Sequence, residues 1–245
     1  MGCGFILRGI MANVIVDERL DPECERALRD FGYRVLKLPK SKYLQQPVAA
    51  HPDMLVFIFE NKLFCHERYY SEAKTAVDAV VEAGGFELTL SAEEWESEYP
   101  HDVLFNAASV GNKLICSKKS VSKLIADLYD EENVINTKQG YAKCSTCTVG
   151  ERGIITADPS VARSADGAGI DVLLLNGNHT RLEGYDTGFI GGASGDDGEN
   201  VYFCGDISKH PEGERIADFC LAHGRRAVSL SDNELYDYGS LIFVR

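Results

Sequence analysis

Basic residues are scarce in this sequence: 25 Lys and Arg stand against 38 Asp and Glu, which gives a formal net charge of −13. Broad contact with a nucleic-acid backbone needs clustered Lys and Arg, so a nucleic-acid partner is not expected. An apolar run of about 18 residues is also missing, and no membrane-spanning helix is predicted. The apolar stretch in residues 1–10 is too short for a secretory leader, and these residues are interpreted as a disordered or wrongly assigned start before Met11.

A disulfide framework is not expected either. Eight cysteines in a chain of 245 residues, without a secretory leader, are typical of reduced thiols in the cytoplasm. The closely spaced pair Cys144 and Cys147 is a weak zinc signal, because zinc needs four ligands and alternate faces of a strand separate residues three apart. The sequence therefore predicts neither a metal nor a cofactor, and a metal-binding module that holds stoichiometric zinc is left as a third alternative function. A small cationic or neutral ligand suits the negative charge, and the oligomeric state is not indicated.

A repeat is the main feature that the sequence does contain. Five short apolar segments of similar pattern recur along the chain, at Asn13–Asp17, Asn61–Cys65, Asn112–Cys116, Arg152–Thr156 and Asn200–Cys204. Helix-start signals follow, of which the clearest are Asp21-Pro22, Asp158-Pro159 and His210-Pro211. Glycines such as Gly32, Gly169 and Gly224 then precede another strand-like run. The unit is therefore strand, strand, helix, strand, and such a repeat dictates the fold.

The two ends of the chain complement one another. Residues 236–244 form a first strand without a second, whereas Asn13–Asp17 is a second strand without a first. Their pairing would remove two exposed sheet edges. We therefore predict a single α/β domain over residues 1–245, a five-fold pseudo-symmetric propeller of ββαβ repeats closed by its terminal strands. The alternative, an open doubly wound sheet, requires strict alternation of strands and helices.

Alignment of the five first strands brings four aspartates and one cysteine to one position: Asp53, Asp102, Cys144, Asp186 and Asp237. In a ring of repeats, equivalent positions surround the axis, so an acidic axial pocket is predicted. Carboxylates held close together are relieved by a guanidinium or ammonium group. The alternative is that each aspartate accepts backbone N–H groups in a turn.

Candidate catalytic groups are few. Cys144 is a possible nucleophile, with the neighbouring Lys143 favouring a thiolate; a buried structural thiol is the alternative. His51 and His101 lie beside Asp53 and Asp102 and could reach the axis, and His101 is the candidate acid or base. The glycine-rich residues 191–198 lack the Gly-Lys-Ser/Thr of a phosphate loop and are interpreted as a mobile hairpin loop, a lid over the axis.

The repeat with joined termini resembles the pentein fold of guanidine-modifying enzymes, which include dimethylarginine dimethylaminohydrolases and amidinotransferases. The resemblance is clearest in Gly140-Tyr-Ala-Lys-Cys-Ser145 with Gly153-Ile-Ile-Thr156, and in Asn200-Val-Tyr-Phe-Cys204 with Tyr236-Asp-Tyr-Gly-Ser240. Within this fold, the chain is most similar to an uncharacterised bacterial family described only by the fold. The resemblance implies a cytoplasmic protein that acts on C–N bonds of a guanidino compound, if it is an enzyme.

Two departures from the family pattern bear on that activity. Tyr141 stands where the enzymes carry a catalytic His, and residues 239–243 lack the cysteine nucleophile of the final strand. The resemblance thus leads to a pentein-fold protein whose pocket, with Tyr141 among its binding residues, takes a guanidino, amidino or other cationic small molecule. One alternative is a non-catalytic binding or protein-interaction module. Another is a hydrolase or amidinotransferase-like enzyme that uses Cys144 as a displaced nucleophile.

Overall fold

In a computed structural model, residues 12–244 are described; residues 1–10, Met11 and Arg245 lie outside this range. The described chain contains strands β1 (Asn13–Asp17), β2 (Arg34–Leu38), β3 (Val56–Phe59), β4 (Lys62–His66), β5 (Glu87–Ser91), β6 (Ala108–Val110), β7 (Lys113–Cys116), β8 (Val134–Asn136), β9 (Cys147–Val149), β10 (Gly153–Thr156), β11 (Asp171–Leu174), β12 (Ser194–Asp196), β13 (Asn200–Phe203), β14 (Arg226–Ser229) and β15 (Ile242–Val244). The α-helices are α1 (Pro22–Asp30), α2 (Pro52–Leu55), α3 (Glu67–Gly84), α4 (Lys123–Ala126), α5 (Pro159–Asp166) and α6 (Gly213–Ala222), and short 3-10 turns occupy Gln46–Val48, Glu131–Asn133 and Ile207–Lys209.

These strands form five three-stranded sheets of one pattern, which confirms a mixed α/β fold built on a repeated unit. In each sheet the middle strand pairs antiparallel with one neighbour and parallel with the other. The sheets are β15-β1-β2, β3-β4-β5, β6-β7-β8, β9-β10-β11 and β12-β13-β14. The parallel partner always follows a helix, because a parallel connection needs a crossover.

The two ends of the chain meet in one sheet. β15 pairs antiparallel with β1, in a register that sets Val244 opposite Asn13 and Ile242 opposite Ile15. Because β1 also pairs with β2, it is the central strand of its sheet and not an edge strand, and all of its residues are buried. The predicted pairing of the termini is confirmed.

Local signals explain where the helices begin. The carboxylate of Asp21 accepts the N–H of Glu23 at the start of α1, and the carboxylate of Asp158 accepts those of Ser160 and Val161 at the start of α5. These are the side-chain caps expected at helix N-termini. The predicted start at Pro211 is wrong: α6 begins at Gly213, after a turn in which His210 Nδ1 accepts the N–H of Glu212.

The interior is largely apolar. The helices cover the sheets with buried residues such as Leu28, Val77 and Ile216. The cysteines of the described range, at positions 24, 65, 116, 144, 147, 204 and 220, are all buried and free. Among the described helices, none combines the length and the apolar character needed to cross a membrane.

Candidate functional site

A group of seven polar side chains lies where the chain enters the first strands of four sheets. We call it the polar cluster: His51, Asp53, Asn106, Lys143, Cys144, Asp237 and Ser240. The chain places these residues before β3, β6, β9 and β15. Apart from the half-buried Lys143, every member is at most 2% exposed. Burial of so many polar groups is costly unless they are paired.

Asp53 lies at the centre of the polar cluster, on the single-turn helix α2. Its carboxylate accepts the hydroxyl of Ser240 at 2.7 Å and the thiol of Cys144 at 3.2 Å. The ammonium of Lys143 donates to the Ser240 hydroxyl at 2.9 Å. Burial raises the pKa of Asp53, while the positive charge of Lys143 opposes that rise. Ser240 has a φ of 75°, a strained backbone state for a residue other than glycine.

Asn106 holds the surrounding segments together. Its side-chain oxygen accepts the backbone N–H groups of Lys143 at 2.8 Å and Cys144 at 3.2 Å. Its amide nitrogen donates to the backbone carbonyl of Asp53 at 3.1 Å and to the sulfur of Cys144 at 3.1 Å. One buried amide thus joins the segments before β3 and β9, and sequence reasoning missed it because its partners are distant in the chain.

Cys144 is held as a protonated thiol. Burial raises its pKa well above the ordinary value, and the negative charges of Asp53 and Asp237 raise it further. A reactive cysteine needs an electropositive surrounding that favours the thiolate. Lys143, which the sequence analysis assigned to that task, directs its ammonium at Ser240 instead. The arrangement therefore disfavours attack by Cys144.

Asp237 and His51 form the other side of the polar cluster. The two carboxylate oxygens of Asp237 accept the N–H groups of Gly239 and Phe189, each at 2.9 Å. Burial, and next the charge of Asp53, raise the pKa of Asp237 to about 7. His51 Nδ1 lies 3.7 Å from Asp237 Oδ1, yet neither ring nitrogen has a hydrogen-bond partner. Burial lowers the pKa of His51 to about 3, so its imidazole is neutral.

The glycine-rich residues 191–198 do not form the predicted lid. Ser194–Asp196 within this segment form β12, and Gly191 and Gly192 pack tightly beside the polar cluster. Gly192 donates its N–H to the carbonyl of Cys144, and its own carbonyl accepts those of Tyr238 and Ser240. A Cβ at Gly192 would overlap the carboxylate of Asp237. These glycines serve close packing, because only glycine permits this approach of the backbone.

Asp102, which is buried, and the half-buried Tyr141 form a separate pair. The hydroxyl of Tyr141 donates to Asp102 Oδ2 at 2.6 Å, while the other oxygen of Asp102 has no partner. Burial raises the pKa of both groups. The ring of Tyr141 stacks with that of Phe189 at 6.3 Å between centroids. Because the N–H of Phe189 binds Asp237, this pair adjoins the polar cluster without entering it.

The alignment of four aspartates in one layer is corrected by the hairpin registers. Counted back from these registers, the positions equivalent to Asp53 are Leu104, Lys143, Ile190 and Asp237. Connecting segments differ in length between repeats, so residues aligned by type fall out of register. Asp53, Cys144 and Asp237 still converge, because each lies shortly before a first strand.

Two predicted site residues lie at the surface. Asp186 is exposed, in the connection between β11 and β12. The side chain of His101 is 42% exposed and lies 3.7 Å from Glu94. The histidine that reaches the polar cluster is His51, two residues before Asp53, and not His101, which directly precedes Asp102.

Two cavities adjoin the polar cluster. The central cavity has a volume of about 330 Å³ and is lined by residues of all five first strands, including Phe57, Ser109, Thr148, Gly195 and Phe243. Asp53, Asp196 and Lys143 also line it. Asp196 forms an ion pair with Arg225 at 2.9 Å, so the ammonium group of Lys143 is left to offset the carboxylate of Asp53. The predicted pocket of four carboxylates does not form here.

The second cavity, which we call the side cavity, has a volume of about 530 Å³. Its lining residues are Arg19, Gln46, Pro47, His51, Glu183, Gly184, Tyr236, Asp237 and Tyr238. The charge of Arg19 is neutralised by Asp17, with which it forms an ion pair at 2.6 Å. The carboxyl groups of Glu183 and Asp237 therefore determine the charge of the side cavity. Asp186 lies in an adjoining pocket that shares Glu183, Gly184 and Tyr236 with the side cavity.

Comparison with solved structures shows the fold class. A DDAH from Pseudomonas aeruginosa, a cysteine-to-serine variant complexed with citrulline, has a TM-score of 0.56 at 10% identity, with 90% of this chain and 92% of that chain covered. The amidinotransferase SxtG from Microseira wollei, of the saxitoxin pathway, has a TM-score of 0.52 at 14% identity, with 96% and 94% covered. ArgZ, a cyanobacterial arginine dihydrolase, has a TM-score of 0.51 at 10% identity, with 89% of this chain but 36% of that chain covered. The fold is that of the pentein superfamily, as the repeat indicated.

The family follows from a sequence model. A model described as "Family of unknown function (DUF6873)" matches residues 15–242, and the chain belongs to this family. None of the curated proteins compared by sequence matches the chain.

Proposed function

We propose that this protein binds a small guanidino or amidino cation in the side cavity, with the buried carboxylate of Asp237 as the main anionic partner. The observation that carries the proposal is Asp237 itself. It is a buried carboxyl group with a pKa raised to about 7, at the wall of a cavity whose other unpaired charge is the carboxylate of Glu183. A bound cation would stabilise the ionised form of Asp237.

Hydrogen bonding favours a guanidinium or amidinium over a simple ammonium. A guanidinium presents planar N–H donors in a fork that suits a carboxylate. Beside Asp237, His51 offers an unpartnered ring nitrogen as a further acceptor. The rings of Tyr236 and Tyr238, stacked with centroids 4.5 Å apart, supply aromatic faces in the same wall, and such faces attract a cation.

The names of the similar structures support the same ligand class. They are a DDAH complexed with citrulline, an amidinotransferase and an arginine dihydrolase. We favour a protein that binds this ligand without thiol catalysis, because Cys144 is a protonated thiol that is hydrogen-bonded to Asp53. Catalysis by Cys144, and roles for Lys143, His101, Asp102, Asp186 and Tyr141, stay predictions.

Ring closure belongs to the same proposal. We infer that the five sheets surround one axis as a single closed domain. The pairing of β15 with β1 supports this inference, as does the central cavity, whose wall takes residues from the first strand of every sheet.

The proposal is tested by calorimetric titration with agmatine, arginine and methylguanidinium. Wild-type protein should bind at least one of them, and Asp237→Asn should lose most of that affinity. The matched control is Asp166→Asn, an exposed aspartate at the end of α5 that lines neither cavity, which should bind like the wild type. Cys144→Ser should also bind, and no product should accumulate. Equal binding by wild type and Asp237→Asn, with both variants folded, would refute the proposal.

A further inference from the structure

Three buried side chains of the polar cluster have the donor atoms of a metal site. His51, Asp53 and Cys144 each offer one ligand atom, and these atoms all lie within 4.8 Å of one another. All three residues are at most 2% exposed. Imidazole, carboxylate and thiolate are ligands of zinc in proteins. We propose that His51, Asp53 and Cys144 bind one divalent transition-metal ion of the zinc class.

His51 gives independent support for a ligand at this place. Both of its ring nitrogens are buried without a hydrogen-bond partner, although buried polar groups in proteins are nearly always paired. The neutral imidazole is the form that binds metals. A coordinate bond to one ring nitrogen would satisfy a group that the fold otherwise leaves unpaired.

The spacing of Asp53 and Cys144 suits a shared metal ion. The sulfur lies 3.2 Å and 3.3 Å from the two carboxylate oxygens. Two tetrahedral ligands with bonds of roughly 2.3 Å and 2.0 Å lie about 3.5 Å apart, so small movements suffice. On binding, the thiol releases its proton to solvent and the sulfur bonds the metal. The charges of one thiolate and one carboxylate then balance the divalent ion.

Neighbouring groups already orient these ligands. Asn106 donates to the sulfur at 3.1 Å, Ser240 donates to Asp53 at 2.7 Å, and the carboxylate of Asp237 faces His51 Nδ1 at 3.7 Å. Such outer partners tune and position metal ligands. The side cavity, which His51 lines, supplies an access path and room for a fourth ligand from solvent.

Cys147 is excluded from this site despite the Cys-x-x-Cys spacing. Its side chain is buried in a different apolar cluster, with Val149 and Ile155, and its thiol faces the carbonyl of Thr148 at 3.9 Å. The two cysteines therefore have different surroundings. Cys147 provides a matched control for Cys144.

The test is a cobalt titration of the full-length protein after removal of metals with a chelator. One Co²⁺ per chain should bind, with the thiolate-to-cobalt charge-transfer absorption in the near ultraviolet and the strong visible bands of four-coordinate cobalt, and Zn²⁺ should displace it. Cys144→Ser should abolish the charge-transfer band, and His51→Ala should weaken cobalt binding by at least about 100-fold. Cys147→Ser should behave like the wild type.

Other outcomes would overturn the inference. They are the absence of stoichiometric cobalt binding by folded wild-type protein, retention of the charge-transfer band in Cys144→Ser, and its loss in Cys147→Ser. Urea unfolding of each variant checks that it is folded, and Cys144→Ala serves as a second variant if Cys144→Ser does not fold. Because no guanidino compound is present, the result is independent of the proposed ligand.

Discussion

Replacement of Asn106 by leucine tests whether the polar cluster is held together as described. Leucine has a similar size but cannot replace the four hydrogen bonds of the Asn106 side chain to Asp53, Lys143 and Cys144. Two buried backbone N–H groups would lose their acceptor, at about 1–3 kcal/mol each, and the carbonyl of Asp53 would lose a donor. We expect Asn106→Leu to lower the free energy of unfolding by about 3–5 kcal/mol.

Equilibrium unfolding in urea measures this change. The matched control is Asn112→Leu, an exposed asparagine in a hairpin turn, whose side chain donates to Asn133 at 3.3 Å; its effect should be within about 0.5 kcal/mol. Iodoacetamide labelling of Cys144 in native buffer should also become faster in Asn106→Leu. A loss of stability below about 1 kcal/mol, with unchanged labelling, would refute the assigned role of Asn106.

Three further predictions concern the surroundings of Asp237. In the urea assay, Gly192→Ala should destabilise the protein by more than about 2 kcal/mol, because its Cβ would overlap the Asp237 carboxylate. The control Gly169→Ala, where φ is 78° and the surrounding space is open, should cost about 1 kcal/mol. The pKa of Asp237 is about 7 in the folded protein and roughly 3.9 in the unfolded chain. In metal-free protein, the free energy of unfolding of the wild type relative to Asp237→Asn should therefore fall by up to about 4 kcal/mol as pH rises from 4 through 7. A difference that stays flat or rises with pH would contradict this sign. Zinc loading should weaken calorimetric binding of a guanidinium ligand at least tenfold, because both cations need the His51 side of the cavity, and unchanged affinity would show that the two sites do not overlap.

The repeat and the pairing of the termini could be predicted because both depend on local patterns. Each middle strand is an apolar segment such as Asn61–Cys65, and the unpaired first strand at residues 236–244 leaves β1 as its partner. Helix starts at Asp21 and Asp158 follow from capping chemistry, which acts within a few residues. These features need no knowledge of how distant segments pack.

The polar cluster could be predicted only in part, because it depends on contacts between distant segments. Asp53, Cys144 and Asp237 were singled out by type and position, but the alignment placed Asp102 and Asp186 beside them. The hairpin registers determine which residues are equivalent between repeats. The sequence does not show these registers, because the connecting segments vary in length.

The partners that organise the cluster gave weaker signals. Asn106 carries no motif, and Ser240 was noted only as part of the family-like segment that ends the chain. His51 stood out by its position before Asp53, although His101 was preferred as the functional histidine. The tight packing of Gly191 and Gly192 could not be separated from loop flexibility, because glycine is suited to both.

The most direct test of the proposed function is a crystal structure of the protein with bound agmatine. The proposed function places the guanidinium group in the side cavity, with its nitrogen atoms within hydrogen-bonding distance of the Asp237 carboxylate and close to His51. Agmatine bound against Asp53 in the central cavity, with the side cavity filled by water, would contradict it.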